Sequence, residues 1–235
     1  MRLFWCFHDK ENLYFVLELV DNGELSNLMR RVGVLDLHTT SHYCAELLQS
    51  LAYLHARGFV HRDLKPRNIL FDSSMRLRLV DFGAVTTWTP AEAKKRQEEV
   101  YNKRFSAETI FERTTSTKRK VTMVGTEEYV SPELLLDLES GPACDLWALG
   151  VILYMTLVGK TPFKGVDEFA TFENILNMPV NFPEGFDQHA SDFIEKLLRK
   201  NPMERLGYGE ETTGYPSLKQ HPFFANIDFN TLHLL

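Results

Sequence analysis

At 235 residues and 44% hydrophobic, the chain can bury one large core, or one lobe and a little more. A net charge of -6 gives no ground for expecting nucleic acid, and the longest apolar run, Leu146 to Val158, contains Trp147, Gly150 and Thr156 and is too short to span a bilayer. Cys6, Cys44 and Cys144 are scattered without metal-ligand spacing, so free, buried thiols in a reducing compartment are the plain reading.

No long apolar region with a cleavage site follows Met1, so no secretory signal is read, and no internal repeat is visible. Leu3 to Phe7 and Leu13 to Leu19 are rich in aromatic and β-branched residues, and His8-Asp9-Lys10-Glu11-Asn12 between them predicts a hairpin. A short helix is predicted over Asn22 to Arg31. A longer one is predicted over Thr39 to Arg57, with Tyr43, Leu47, Leu48, Leu51 and Leu54 on a core-facing stripe and Gly58 as its stop. Ile69 to Phe71 and Leu77 to Val80 predict a second small hairpin. From Thr86 to Val121 the sequence turns polar: residues 90–120 hold nine Lys or Arg against five Glu, a local balance of +4 that leaves -10 for the rest. Ala91 to Arg104 could form a charged helix, but apolar residues are too few to anchor it. Most of this insert reads as a mobile, solvated loop, ahead of a docking element for an acidic partner or an anionic membrane. Leu146 to Val158 reads as a buried helix. Asp167 to Asn177 and Gln188 to Lys200 read as amphipathic helices, carrying Phe169, Phe172, Ile175 and Leu176 in one and Phe193, Ile194, Leu197 and Leu198 in the other. His8, His38, His42 and His55 read as ordinary surface or helix positions, and His61 as a satisfied structural histidine.

Three motifs stand in order on this frame: His61-Arg62-Asp63-Leu64-Lys65-Pro66-Arg67-Asn68, then Asp81-Phe82-Gly83 eighteen residues after Asp63, then Ser131-Pro132-Glu133. Taken singly, Asp63, Asn68 and Asp81 are residue types common in turns. Together the motifs resemble the catalytic loop, the metal-binding Asp-Phe-Gly and the Ala-Pro-Glu of protein kinases. The resemblance implies an α+β, protein-kinase-like fold, mainly the helical C-lobe with the last two strands of the N-lobe and the hinge. It implies transfer of the γ-phosphate of ATP to Ser or Thr of protein substrates, with ATP and Mg²⁺ as cofactors. Asp63 would accept the substrate hydroxyl proton, and Lys65 would hold the moving phosphate, a lysine typical of serine/threonine rather than tyrosine kinases. Asn68 and Asp81 are hard oxygen ligands suited to Mg²⁺.

Arg205-Leu206-Gly207 and His221-Pro222-Phe223-Phe224 resemble the AGC group. Within it, Asn22-Gly23-Glu24-Leu25, Tyr129 to Leu135 and Asp145 to Gly150 resemble the 3-phosphoinositide-dependent kinases. By that likeness Leu17 is the gatekeeper, the Glu18 carbonyl and the Val20 amide meet adenine, Glu24 faces the ribose, and Leu70 joins the nucleotide-binding set. Thr122 takes the place of the activation-loop phosphorylation site, where a phosphate would pair with Arg62. Thr126 resembles the threonine that bonds the catalytic Asp and Lys, Asp145 opens the helix supporting the catalytic loop, and Glu133 and Arg205 form a buried ion pair. Arg67 stands where Glu is common. Substrates would be activation loops of other AGC kinases.

No Gly-x-Gly-x-x-Gly precedes Leu3, nor a Val-Ala-Ile-Lys-like strand or a helix donating its partner glutamate. The expectation is therefore a truncated product or incomplete gene model. Residues 1–20 would be the remnant of an N-lobe sheet and hinge, and 21–235 a C-lobe with an insert at about 86–121. The alternative is a non-catalytic kinase-fold binding module or decoy. A cytoplasmic location is expected from the reducing compartment that the scattered cysteines imply, and membrane recruitment is not read in these residues.

Overall fold

A computed structural model describes residues 2–89, 127–136 and 141–232. The chain opens with an antiparallel hairpin of β1 (Leu3–His8) and β2 (Leu13–Leu17). Asp9 ties its turn, its Oδ1 accepting the N–H groups of Glu11 and Asn12 at 2.8 and 2.7 Å. Trp5, Phe7, Leu13 and Phe15 are all more than half exposed, so both faces of the hairpin meet solvent.

Two helices follow, α1 (Leu25–Val32) and α2 (Leu37–His55). Asp36 caps α2, accepting the Thr39 N–H at 2.8 Å and its hydroxyl at 2.7 Å. That cap begins the helix two residues before the predicted Thr39. Short antiparallel ladders come next: β3 (Phe59–Val60) with β6 (Thr86–Thr87), and β4 (Ile69–Phe71) with β5 (Leu77–Leu79). Beyond them lie α3 (Pro132–Leu135), α4 (Ala143–Val158), α5 (Glu168–Asn177), α6 (Gln188–Leu197) and α7 (Pro216–Lys219).

Helix α4 organises the core because it has no polar face: Ala143 to Thr156 are all buried. It packs against α2 on one side and α6 on the other. Gly150 permits the second contact, since a Cβ there would lie 2.9 Å from Leu197 Cβ. Leu47, Leu48 and Leu51 of α2 and Phe193, Ile194 and Leu197 of α6 are at most 2% exposed. Each such side chain contributes about 1.5 to 3 kcal/mol of burial. Trp147 stacks on Phe163 at 5.4 Å, and Phe193 on Phe223 at 5.2 Å, closing the lower core.

Four expectations are corrected. Phe169 is 57% exposed, so the buried face of α5 is carried by Thr171 and Ile175 with Phe172 and Leu176 half-buried. Cys6 is exposed, while Cys44 and Cys144 are buried thiols. His55 is fully buried. Thr86 and Thr87, placed at the start of a loop, form a strand against β3. Residues 90–126, which include the rest of the insert with the candidate helix Ala91 to Arg104, Thr122 and Thr126, lie outside the described residues. No helix among the described residues is long and apolar enough to cross a membrane.

Gly207 is the most constrained turn position. Its φ is +88°, and an added Cβ would lie 2.1 Å from Leu218 Cδ1 and 2.9 Å from Tyr215 Cδ1. Gly207→Ala therefore meets both left-handed strain and overpacking, and should cost about 2 kcal/mol or more in chemical denaturation. A loss below about 0.5 kcal/mol would show that this loop shifts freely.

Candidate active site

The loop after β3 gathers three of the motif side chains. Lys65 Nζ donates to both carboxylate oxygens of Asp63, at 2.9 and 2.7 Å. Asn68 Nδ2 donates to the Asp63 carbonyl at 2.8 Å and to Asp63 Oδ2 at 3.0 Å. The spacing follows from a single 3₁₀ turn, Pro66–Asn68, in which the Asn68 N–H closes on the Lys65 carbonyl at 2.9 Å. Asn68 is buried, whereas the Asp63 side chain keeps 34% exposure and is reachable from solvent.

Asp81 reaches the same place through β4 and β5. Ile69 pairs with Leu79, and the Val80 N–H donates to the Asn68 carbonyl at 2.9 Å, so the residue after Val80 emerges beside Asn68. Asp81 takes a left-handed conformation, φ 62° and ψ 74°, with its carboxylate near the Gly83 N–H at 3.4 Å. Its exposed carboxylate and the Asn68 Oδ1, which makes no hydrogen bond among the described residues, are the hard donors available to a divalent cation. His61 lies beneath, fully buried, with Nε2 3.1 Å from the Val80 carbonyl and its ring against Phe82.

The loop is anchored from α4. Asp145 Oδ2 accepts the His61 N–H and Oδ1 the Arg62 N–H, both at 2.8 Å. His55 Nε2 lies 2.8 Å from Oδ2, and the Tyr215 hydroxyl 2.6 Å from His55 Nδ1. A carboxylate only accepts, so His55 Nε2 donates to Asp145, and the Tyr215 hydroxyl bonds the other ring nitrogen, Nδ1. Burial alone would raise the Asp145 carboxyl, but the His55 hydrogen bond and charge, with the His61 amide, outweigh it and hold the group below its ordinary range. Arg62 pays a backbone cost here, with φ at +66°, and its side chain is exposed. His55 and Tyr215 were missed by motif reading. They carry no local signal, being 90 and 70 residues from Asp145 in opposite directions.

Further along, Arg205 clasps Glu133 bidentately, with Nη1 to Oε1 at 2.6 Å and Nη2 to Oε2 at 2.7 Å, both side chains at most 3% exposed. Nη1 also reaches the Ala143 carbonyl at 2.8 Å, and Nε that of Arg199 at 2.8 Å.

The segment after β2 lines the other rim. Leu17 ends the strand at 42% exposure, and the Glu18 N–H donates back to the Arg2 carbonyl at 2.8 Å. The Glu18 carbonyl and Val20 N–H make no hydrogen bond among the described residues, which leaves an acceptor and a donor open. Glu24 bridges Leu70 through the backbone, and the Phe71 N–H donates to the Gly23 carbonyl at 2.9 Å, so this rim is stitched to β4.

The profile of the protein kinase domain matches residues 1–224. The chain belongs to the protein kinase family. Human 3-phosphoinositide-dependent protein kinase 1 is 39% identical over 233 residues, covering 99% of this chain and 38% of its own length. Human putative 3-phosphoinositide-dependent protein kinase 2 is 39% identical over 233 residues, with 99% and 53% covered. Serine/threonine-protein kinase ksg1 of Schizosaccharomyces pombe is 38% identical over 233 residues, with 99% and 36% covered. This kinase chain thus spans between about a third and a half of these relatives' lengths, and it resembles the 3-phosphoinositide-dependent kinases of the AGC group.

Two outcomes check the anchors. Arg205→Met strands a buried carboxylate and should cost about 3 to 5 kcal/mol in urea unfolding, most of it recovered by adding Glu133→Leu. A single-variant loss under about 1 kcal/mol would dissolve the pairing. Because the Asp145 carboxyl is held low in the fold, its contribution is complete above the unfolded value of about 3.9 and fades as pH falls through the lower folded value. The stability gap between wild type and Asp145→Asn should therefore narrow as pH drops below about 4. A gap constant across that range would remove the carboxylate from the account.

Proposed function

We propose that this chain is the phosphoryl-transfer part of a serine/threonine protein kinase, moving the γ-phosphate of ATP to a Ser or Thr hydroxyl of a protein substrate. One observation carries the reading: Asp63, Lys65 and Asn68 are joined by four hydrogen bonds of 2.7 to 3.0 Å with the Asp63 carboxylate still reachable from solvent, and the hairpin of β4 and β5 brings Asp81 out next to Asn68. Asp63 takes the acceptor hydroxyl proton as that oxygen attacks phosphorus and the bond to ADP breaks. Lys65, now paired with Asp63, turns its ammonium to the charge gathering on the transferred phosphoryl oxygens.

Asn68 and Asp81 would hold Mg²⁺, which supplies charge neutralisation across the nucleotide phosphates when bound. The open Glu18 carbonyl and Val20 N–H fit an adenine edge, with Leu17 and Leu70 about the ring and Glu24 toward the ribose. In this reading Thr126 steadies Asp63 and Lys65, and a phosphate on Thr122 pairs with the exposed guanidinium of Arg62. The resemblance to 3-phosphoinositide-dependent kinases supports activation-loop threonines of other AGC kinases as substrates. Three free cysteines and no disulfide among them suit a cytoplasmic protein.

Millimolar Mg-ATP should raise the melting temperature by mass action on the folded state. No shift would leave the alternative, a kinase-fold module that binds partners without turnover. Asp63→Asn should lower phosphotransfer by about 100-fold or more while leaving the melting temperature near wild type. Retained activity would remove Asp63 as the base.

A further inference from the structure

Beside Tyr215 lies a cavity of about 200 Å³, lined among others by Trp88, Gly141, Gly207, Tyr208 and Glu211. Glu211 is 8% exposed, and its carboxylate has neither a hydrogen bond nor an ion pair among the described residues. Its neighbour Glu210 differs, its Oε2 taking the Ser217 N–H and hydroxyl, both at 2.9 Å. The Trp88 indole N–H, also on this wall, is buried without a partner. The Glu211 carboxylate oxygens are not fully enclosed, so they present open lone pairs to the cavity, which a donor cation can meet.

The walls say what kind of cation fits. Among the described residues no group of three or more His, Cys, Asp or Glu is placed to hold a metal ion, and a lone carboxylate does not coordinate one well. One carboxylate beside the half-buried side chains of Trp88 and Tyr208 instead suits a single organic charge, paired with the carboxylate and lying against the aromatic side chains. The space exceeds that of one water, which needs about 10 to 15 Å³ on the same measure, so an alkyl tail has room.

We infer that this cavity binds a small organic cation, a guanidinium or ammonium with a short apolar tail, whose charge is met by Glu211. The cavity is bounded by the buried Tyr215, whose hydroxyl holds His55, which holds Asp145, so the occupant sits near the outer end of the hydrogen-bond chain that anchors the loop of Asp63. Binding itself requires no phosphotransfer, so its test stands apart from the kinase reading.

The test is titration of the full 235-residue chain with n-butylguanidinium and with its neutral counterpart n-butylurea, followed by the Trp88 indole N–H resonance. That resonance is assigned among three tryptophans by Trp88→Phe. A saturable shift with n-butylguanidinium, about tenfold weaker or absent with n-butylurea and lost in Glu211→Gln, supports the site. Should Glu211→Gln not fold, the contrast between the two ligands on wild type decides alone. Equal responses to both ligands, an undiminished response in folded Glu211→Gln, or no saturable shift with n-butylguanidinium would overturn it.

Discussion

The arrangement of this domain depends on one buried carboxylate. Asp145 sits in the first turn of a helix enclosed by apolar side chains, and it accepts two consecutive backbone amides of the catalytic loop. In such a low-dielectric setting each hydrogen bond is strong, and an orphaned partner is expensive. The helix cannot roll, because every face is already packed. The acceptor is therefore fixed, and the loop 82 to 84 residues earlier in the chain is fixed with it, including the left-handed turn at Arg62.

The same helical turn carries a second attachment. Ala143, two residues before Asp145, gives its carbonyl to Arg205, whose other donors hold Glu133. The segment around Ser131-Pro132-Glu133 and the catalytic loop are thus both referenced to the start of α4. Cys144 lies between the two anchors, and burial together with the charges of Asp145 and Glu133 keeps its thiol well above the ordinary value, hence protonated and inert. An assembly with shared foundations resists relative drift between the loop that carries Asp63 and Lys65 and the segment beside it.

Much of this was legible because the motif side chains lie close together in sequence. Asp63, Lys65, Asn68 and Asp81 recur at spacings that one 3₁₀ turn and one short hairpin can satisfy, so their proximity was readable from residue order. The segment Glu18 to Val20 gave only a positional signal, since its open groups belong to the backbone. His55 and Tyr215 were hidden for a different reason. A histidine at the end of an amphipathic helix looks ordinary until Asp145 and a tyrosine from a distant loop close around it. Phe169 failed in another way, because periodicity marks an apolar side chain without saying whether anything packs against it. Glu211 gave no signal at all, as acidic residues beside glycines normally face water.

The hairpin of β4 and β5 has a mechanical consequence. Asn68 enters the ladder at one end of β4 and Asp81 leaves it two residues past β5, with the Val80 N–H clipped to the Asn68 carbonyl across the base. The two ends behave as the jaws of a caliper whose opening is set by inter-strand spacing, not by the loop at the far tip, where Asp72 ties the N–H groups of Ser74 and Arg76. The separation of Asn68 and Asp81 is therefore set by the ladder between them, which is the constraint a two-point grip on one small ion would need.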